Sequence, residues 1–207
     1  MTRYTQGEEE VFLKLKAEVF ERPYSAPLHY NLGLAYARRG ELDEALSEFR
    51  QAIAINPGLV EAYINLGGIY FRKGNIEACI EQNRKAITLN PDFVQAYVNL
   101  GFAYLQQGKF EEAISQYQKA LKITPHFPQA HANLGNIYLH QGNLEAAISE
   151  NQKALVLDPD FGLAFHNLAL AFFRKGDFKS AILHLDKALD IGFPVNPELR
   201  EALAQHR

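Results

Sequence analysis

The sequence of 207 residues holds a single cysteine, Cys79. One thiol cannot close an intramolecular disulfide, and it leaves a thiolate zinc site without ligands. Blocks of like charge are also missing: 21 basic and 24 acidic residues are interspersed, for a formal net charge of -3. Without a basic stripe, neither a nucleic acid nor an anionic membrane surface is an expected partner. No apolar run approaches the roughly 18 residues of a membrane span, so no membrane insertion is expected. Glu8, Glu9 and Glu10 stand where a secretory signal would carry its uninterrupted apolar segment. These absences together make a cytoplasmic protein the expectation.

Signatures of catalysis are missing too. There is no GxxxxGK phosphate loop, no strand-linked GxGxxG, no HExxH and no GxSxG elbow. His131, His140 and His166 do not share the i, i+4 helix face that a pair of metal ligands needs. No enzyme activity, cofactor or metal is expected.

What the sequence does contain is a period. Pro23, Pro57, Pro91, Pro125 and Pro159 follow one another at intervals of 34 residues. Aligned on them, NLGLAYARRG (31–40), NLGGIYFRKG (65–74), NLGFAYLQQG (99–108), NLGNIYLHQG (133–142) and NLALAFFRKG (167–176) stack in register. A second block with apolar residues at helical spacing follows each, so each repeat reads as two helices. Gly40, Gly74, Gly108, Gly142 and Gly176 fall between them, where a left-handed helix end suits glycine. Gly33, Gly67, Gly101, Gly135 and Ala169 on the first helix are small. So are Ala45, Cys79, Ala113, Ala147 and Ala181 on the second, which lets the paired helices approach closely. Cys79 therefore reads as a buried small residue.

These residues resemble the tetratricopeptide repeat (TPR) family, whose pattern has this period. The first repeat supplies His29, Leu32, Gly33, Tyr36, Ala45, Phe49, Ala52 and Pro57, and the third supplies Tyr97, Leu100, Gly101, Tyr104, Ala113, Tyr117, Ala120 and Pro125. The resemblance implies an all-α, right-handed superhelical solenoid of helix-turn-helix hairpins, with five full repeats and capping helices. The expected division is an N-terminal half repeat at 1–25, repeats at 26–59, 60–93, 94–127, 128–161 and 162–195, and a capping helix at 196–207. Val11, Phe12, Leu15 and Val19 form the expected apolar side of the first cap. Leu199, Ala202 and Leu203 do so in the last, with Asn196 as its N-cap.

The resemblance also implies a non-enzymatic scaffold that binds an extended peptide or protein segment in a concave groove lined by the first helices. Asn31, Asn65, Asn99, Asn133 and Asn167 share the sixth place of their repeats and would form a ladder along that groove. An asparagine amide both donates and accepts, so it can hold a peptide unit whatever its side chain. Tyr30, Ile64, Val98, Phe71, Phe102, Leu105 and Asn136 occupy neighbouring groove places and would select the ligand, with Arg72 in a looser basic row. That row has a second reading, since cations near a helix C-terminus complement its dipole. The second places carry Pro27, Glu61, Gln95, Gln129 and Leu163, which lack the lysine of a carboxylate clamp.

Five amides at about 1 kcal/mol each fall short of the roughly 8 kcal/mol of micromolar affinity. The expected partner is therefore extended and carries intermittent apolar side chains. Self-assembly of the chain into a homo-oligomer through groove or terminal-helix contacts is the alternative offered by the same surface. Asn83 and Asn151 alternate with Phe49, Tyr117 and Leu185 on the second helices and have no assigned role; if buried, they need partners.

Overall fold

The computed structural model describes residues 5–207; the first four residues of the expected N-terminal half repeat lie outside the described residues. Among the described residues there are twelve helices and no strands. The chain divides into two compact units, Met1–Gln107 and Gly108–Arg207. The first unit contains α1 (Gln6–Glu21), α2 (Ala26–Arg39), α3 (Leu42–Ile55), α4 (Val60–Arg72), α5 (Ile76–Leu89) and α6 (Val94–Gln106). The second contains α7 (Phe110–Ile123), α8 (Pro128–His140), α9 (Leu144–Leu157), α10 (Gly162–Lys175), α11 (Phe178–Asp190) and α12 (Pro197–Ala204). Within each unit, successive helices pack as hairpins and the hairpins stack.

Local chemistry sets where the helices stop. Gly40 and Gly176 cap α2 and α10 at φ 77° and 81°, a conformation that side chains resist. The second helices α3, α5, α7 and α9 each end two residues before a proline, which pushes its predecessor out of helical geometry. Asn56 before Pro57 has φ -129° and ψ 91°, and Thr124 before Pro125 has φ -129° and ψ 93°. Asn56 then accepts from the Gly58 N–H at 3.1 Å, and Asn90 accepts from Asp92 at 3.0 Å. These side-chain turns lead the chain back into the next first helix. Asn75, Asn143 and Asp177 restart second helices by accepting N–H bonds from Ala78, Ala146 and Ser180.

Within a hairpin, a small residue on the first helix meets the side chain sixteen residues on. A Cβ at Gly33 would lie 2.8 Å from the Phe49 ring, and one at Gly67 would lie 2.8 Å from the Asn83 amide nitrogen. In the second unit, Gly135 faces Asn151 in the same way, with even less room. Ala45, Ala113, Ala147 and Ala181 are fully buried on the second helices, and Cys79 takes their place in register. Burial pushes the Cys79 thiol up to about 11, against a smaller opposing effect of the Asn83 amide beside it. Such a thiol is inert at neutral pH.

The two ends differ from one another. On α1, Phe12 packs edge-on against Tyr36 with ring centroids 5.1 Å apart, and the Arg39 guanidinium lies 4.2 Å from the Phe12 ring. Val11 is not part of that buried side: it is 61% exposed. Its place in register is that of Ala45, which faces a first helix, and α1 has no such partner among the described residues. A cavity of about 380 Å³ opens there, lined in part by Val11, Leu15 and Ala35. At the other end Leu199 and Leu203 close a core with Ala169, Ala181 and Leu185, and Asn196 accepts from the Glu198 N–H at 2.8 Å. No helix among the described residues is long and apolar enough to cross a membrane.

Two half-buried histidines make the second unit sensitive to acid. His184 stacks on Phe172 at 5.5 Å and leans on Phe165 at 5.9 Å, and His166 lies against Phe193. The Nδ1 atoms of both are buried without a partner, and burial lowers both pKa values below the usual 6.5. As pH falls below 6.5 the unfolded chain takes up protons that the folded chain refuses, so stability is full above that pH and lost below it. The thermal midpoint is expected to drop between pH 7 and pH values below 6.5, and His184→Leu is expected to flatten that drop. A profile that stays flat in the native protein contradicts this reading.

Candidate functional site

In the first unit, three first helices present one continuous strip. Glu61, Ile64, Asn65, Gly68, Phe71 and Arg72 recur along α4 at the spacing of a single helix face. The equivalent residues of α2 and α6 are tied to them. Asn65 Nδ2 donates to the Tyr30 hydroxyl at 3.1 Å and to the Glu61 carbonyl at 2.8 Å. Arg72 donates to the Ala37 carbonyl at 3.0 Å. The Phe71 and Phe102 rings meet at 5.1 Å, and Phe102 stays 38% exposed. Tyr30 also leans on Phe49 at 5.9 Å; burial raises its hydroxyl above the usual range, partly offset by the Asn65 donor, while Glu61 adds to the rise.

The five ladder amides have two different fates. Asn31 is exposed, and Asn65 and Asn99 are half-buried. Asn99 Oδ1 accepts from Gln95 Nε2 at 2.7 Å. Asn133 and Asn167 in the second unit are only 3% and 1% exposed. Asn167 Nδ2 donates to the Ala132 carbonyl and to Asn151 Oδ1, both at 3.0 Å. Asn151 in turn donates to the Ala147 carbonyl at 2.7 Å. Asn133 accepts from Gln129 at 3.3 Å and lies beside the buried Tyr117 hydroxyl, whose pKa burial raises and Asn133 lowers. Asn167 therefore stitches repeats together, and both Asn133 and Asn167 are buried. Val98 is also buried, at 3% exposure, and supports the strip from beneath. Ile64, Leu105 and Asn136 are half-buried on their first helices.

For Asn65 and Asn167 the difference lies sixteen residues upstream. Phe49 offers Asn65 no polar atom, so Asn65 turns to Tyr30 and Glu61. Asn151 offers Asn167 an acceptor and draws it inward. Asn83 donates to the Cys79 carbonyl at 2.8 Å and its Sγ at 3.4 Å, while its own buried Oδ1 has no partner. Asn83 and Asn99 have the same spacing as Asn151 and Asn167, yet Asn99 stays half-buried and bonds Gln95, so the spacing alone does not tell which amide turns inward.

Two members of the basic row bond across repeats. Arg72 and Arg174 each donate to a carbonyl 35 residues earlier, Ala37 and Leu139, near the end of the preceding first helix. His29 pairs with Glu48 at 2.6 Å, and His131 with Glu150 at 2.7 Å. Burial raises the Glu150 carboxyl, but Lys153 and His131 hold it below its ordinary value. Among the described residues no group of three or more histidine, cysteine, aspartate or glutamate side chains is placed to hold a metal ion.

Gly68 stands apart from its neighbour Gly67. A Cβ at Gly68 would meet nothing within 4 Å. A glycine inside a helix costs about 1 kcal/mol relative to alanine, and here no close approach of another element accounts for it.

Comparison with known proteins agrees with this architecture. The model described as TPR repeat matches residues 33–74, 67–108, 103–142 and 135–176, and that described as Tetratricopeptide repeat matches 163–191. The chain belongs to the tetratricopeptide repeat family. Among solved structures it is similar to MamA at 27% identity, covering 77% of this chain and 94% of that one with a TM-score of 0.66. It also resembles YrrB, described as a TPR protein with an unusual peptide-binding site, at 22% identity, 93% and 96% coverage and a TM-score of 0.65. TTC0263, a thermophilic TPR protein of Thermus thermophilus, matches at 24% identity, 87% and 98% coverage and a TM-score of 0.70. A search of curated proteins gives no match.

The two fates of the amides separate under mutation. Asn167→Ala removes two buried hydrogen bonds and strands Asn151 Oδ1, so a loss of about 2–3 kcal/mol in unfolding free energy is expected. Asn31→Ala, on the surface, is expected to change stability by less than about 0.5 kcal/mol. Equal effects in chemical denaturation would contradict the assignment.

Proposed function

We propose that the chain is a non-enzymatic interaction module that holds an extended peptide or protein segment across the first helices of repeats 26–59, 60–93 and 94–127. The observation that carries this reading is the continuity of the strip on α2, α4 and α6, locked by Tyr30–Asn65, Arg72–Ala37 and Phe71–Phe102. Asn31, Asn65 and Asn99 hold the ligand backbone. Tyr30, Ile64, Phe71, Phe102 and Leu105 supply apolar contact, and Asn136, half-buried on α8, is the polar groove place of the second unit.

Magnitudes favour an apolar partner more strongly than a ladder of five would. Three amides at about 1 kcal/mol each leave roughly 5 of the 8 kcal/mol of micromolar binding to other contacts. Two or three buried ligand side chains at about 1.5–3 kcal/mol each cover that difference. The exposed Val11, Leu13 and Phe20 of α1 favour a second reading, self-association through that end.

Affinity capture with the native chain and with Asn65→Ala/Asn99→Ala tests the first reading. Capture is expected to fall severalfold in the double variant, with the thermal midpoint lowered only by the loss of the partly exposed Asn65–Tyr30 bond. Unchanged capture would rule out the amides as contacts. Capture of the chain's own copies alone, lost on Val11→Glu, would favour self-association.

A further inference from the structure

We infer that Gly68 is the floor of a side-chain notch, and that the segment held by the strip places one large apolar side chain there with an acidic residue beside it. This inference rests on the peptide-binding reading above. Gly33, Gly67 and Gly135 are required by the fold, because a Cβ at any of them would collide with Phe49, Asn83 or Asn151. Gly68 is not. The same place in the other repeats is filled by Leu34, Phe102, Asn136 and Leu170, so the fold accepts side chains up to the size of phenylalanine at that register. Only on α4 is the place left empty, and a Cβ there would meet open space.

The walls of the notch follow from helix geometry. Ile64 and Asn65 lie one turn before Gly68, and Phe71 and Arg72 one turn after it. Phe71 carries its ring against Phe102 on α6, so the wall after Gly68 is aromatic. The polar groups beside it suit a peptide unit. The bond from Asn65 Nδ2 to the Glu61 carbonyl fixes that amide's orientation and leaves Oδ1 as an acceptor. Asn99 spends Oδ1 on Gln95 and leaves its amide N–H groups within the unit as donors. One acceptor and one donor on adjacent helices match the N–H and C=O of an extended backbone.

Charge complementarity completes the ligand. Arg72 is exposed one turn beyond Gly68 and is held by one nitrogen on the Ala37 carbonyl, which orients its guanidinium along the strip. A carboxylate next to the apolar side chain meets that cation. On the opposite side of the notch Glu61 would repel it, which sets the direction of the ligand chain.

The test is selection of displayed random linear peptides on the native chain and on Gly68→Leu, followed by fluorescence anisotropy of the enriched sequences. Leucine occupies this register at positions 34 and 170, so Gly68→Leu is expected to fold with an unlowered thermal midpoint. Peptides selected on the native chain are expected to share a leucine, phenylalanine or similar residue next to an aspartate or glutamate. Replacing that apolar residue by alanine should weaken binding to the native chain roughly tenfold, or about 1.4 kcal/mol, and should leave binding to Gly68→Leu unchanged. Replacing the acid by serine should weaken binding to the native chain but not to Arg72→Gln. Peptides that lose affinity on Asn65→Ala/Asn99→Ala yet bind Gly68→Leu as they bind the native chain would overturn the notch and leave the peptide-binding reading standing. Failure to enrich any sequence on the native chain would overturn both.

Discussion

In three hairpins the first helix approaches the second so closely that the residue opposite the small position has nowhere else to go. At Gly33 that residue is Phe49, at Gly67 it is Asn83, and at Gly135 it is Asn151, each lying within about the width of one carbon atom of the glycine. Whatever chemistry stands there is buried, and the next repeat packs over it. A phenylalanine gives that repeat an apolar seat. An asparagine gives it hydrogen-bonding groups that must be satisfied internally or left stranded.

This constraint accounts for the division among the ladder amides. In the second unit the buried Asn151 engages Asn167, and a pair that looks like surface chemistry becomes an internal lock between α9 and α10. In the first unit Phe49 leaves Asn65 to find partners nearer the surface, on the Tyr30 hydroxyl and the Glu61 carbonyl. A residue type repeated five times thus serves two ends, and for Asn65 and Asn167 the side chain on the preceding helix accounts for the difference. The stranded Asn83 Oδ1 shows the cost where the pairing is incomplete.

The hairpin pattern was legible in the sequence because it rests on steric rules that recur in every repeat. Prolines stop the second helices, glycines end the first, and Cys79 stands in register with buried alanines. The direction of each amide was not legible from its own place in the repeat, since Asn31 and Asn167 sit in the same NL setting. It depends on a contact between repeats, which a register that aligns each repeat with itself does not display. Val11 misled for a related reason: its helix has the right apolar face, but no first helix among the described residues covers it. Arg72 and Arg174 each place one guanidinium nitrogen on a carbonyl near the end of the preceding first helix, Ala37 and Leu139.

Hydrogen exchange of the asparagine side-chain amides, followed by nuclear magnetic resonance in the folded chain, tests this division directly. The NH2 groups of Asn167 and Asn151 should exchange slowly, on the timescale of unfolding, while those of Asn31 and Asn99 should exchange at rates close to those of a free amide. Rapid exchange at Asn167 and Asn151, or protection of all four alike, would contradict the assignment of some amides to the interior and others to the ligand.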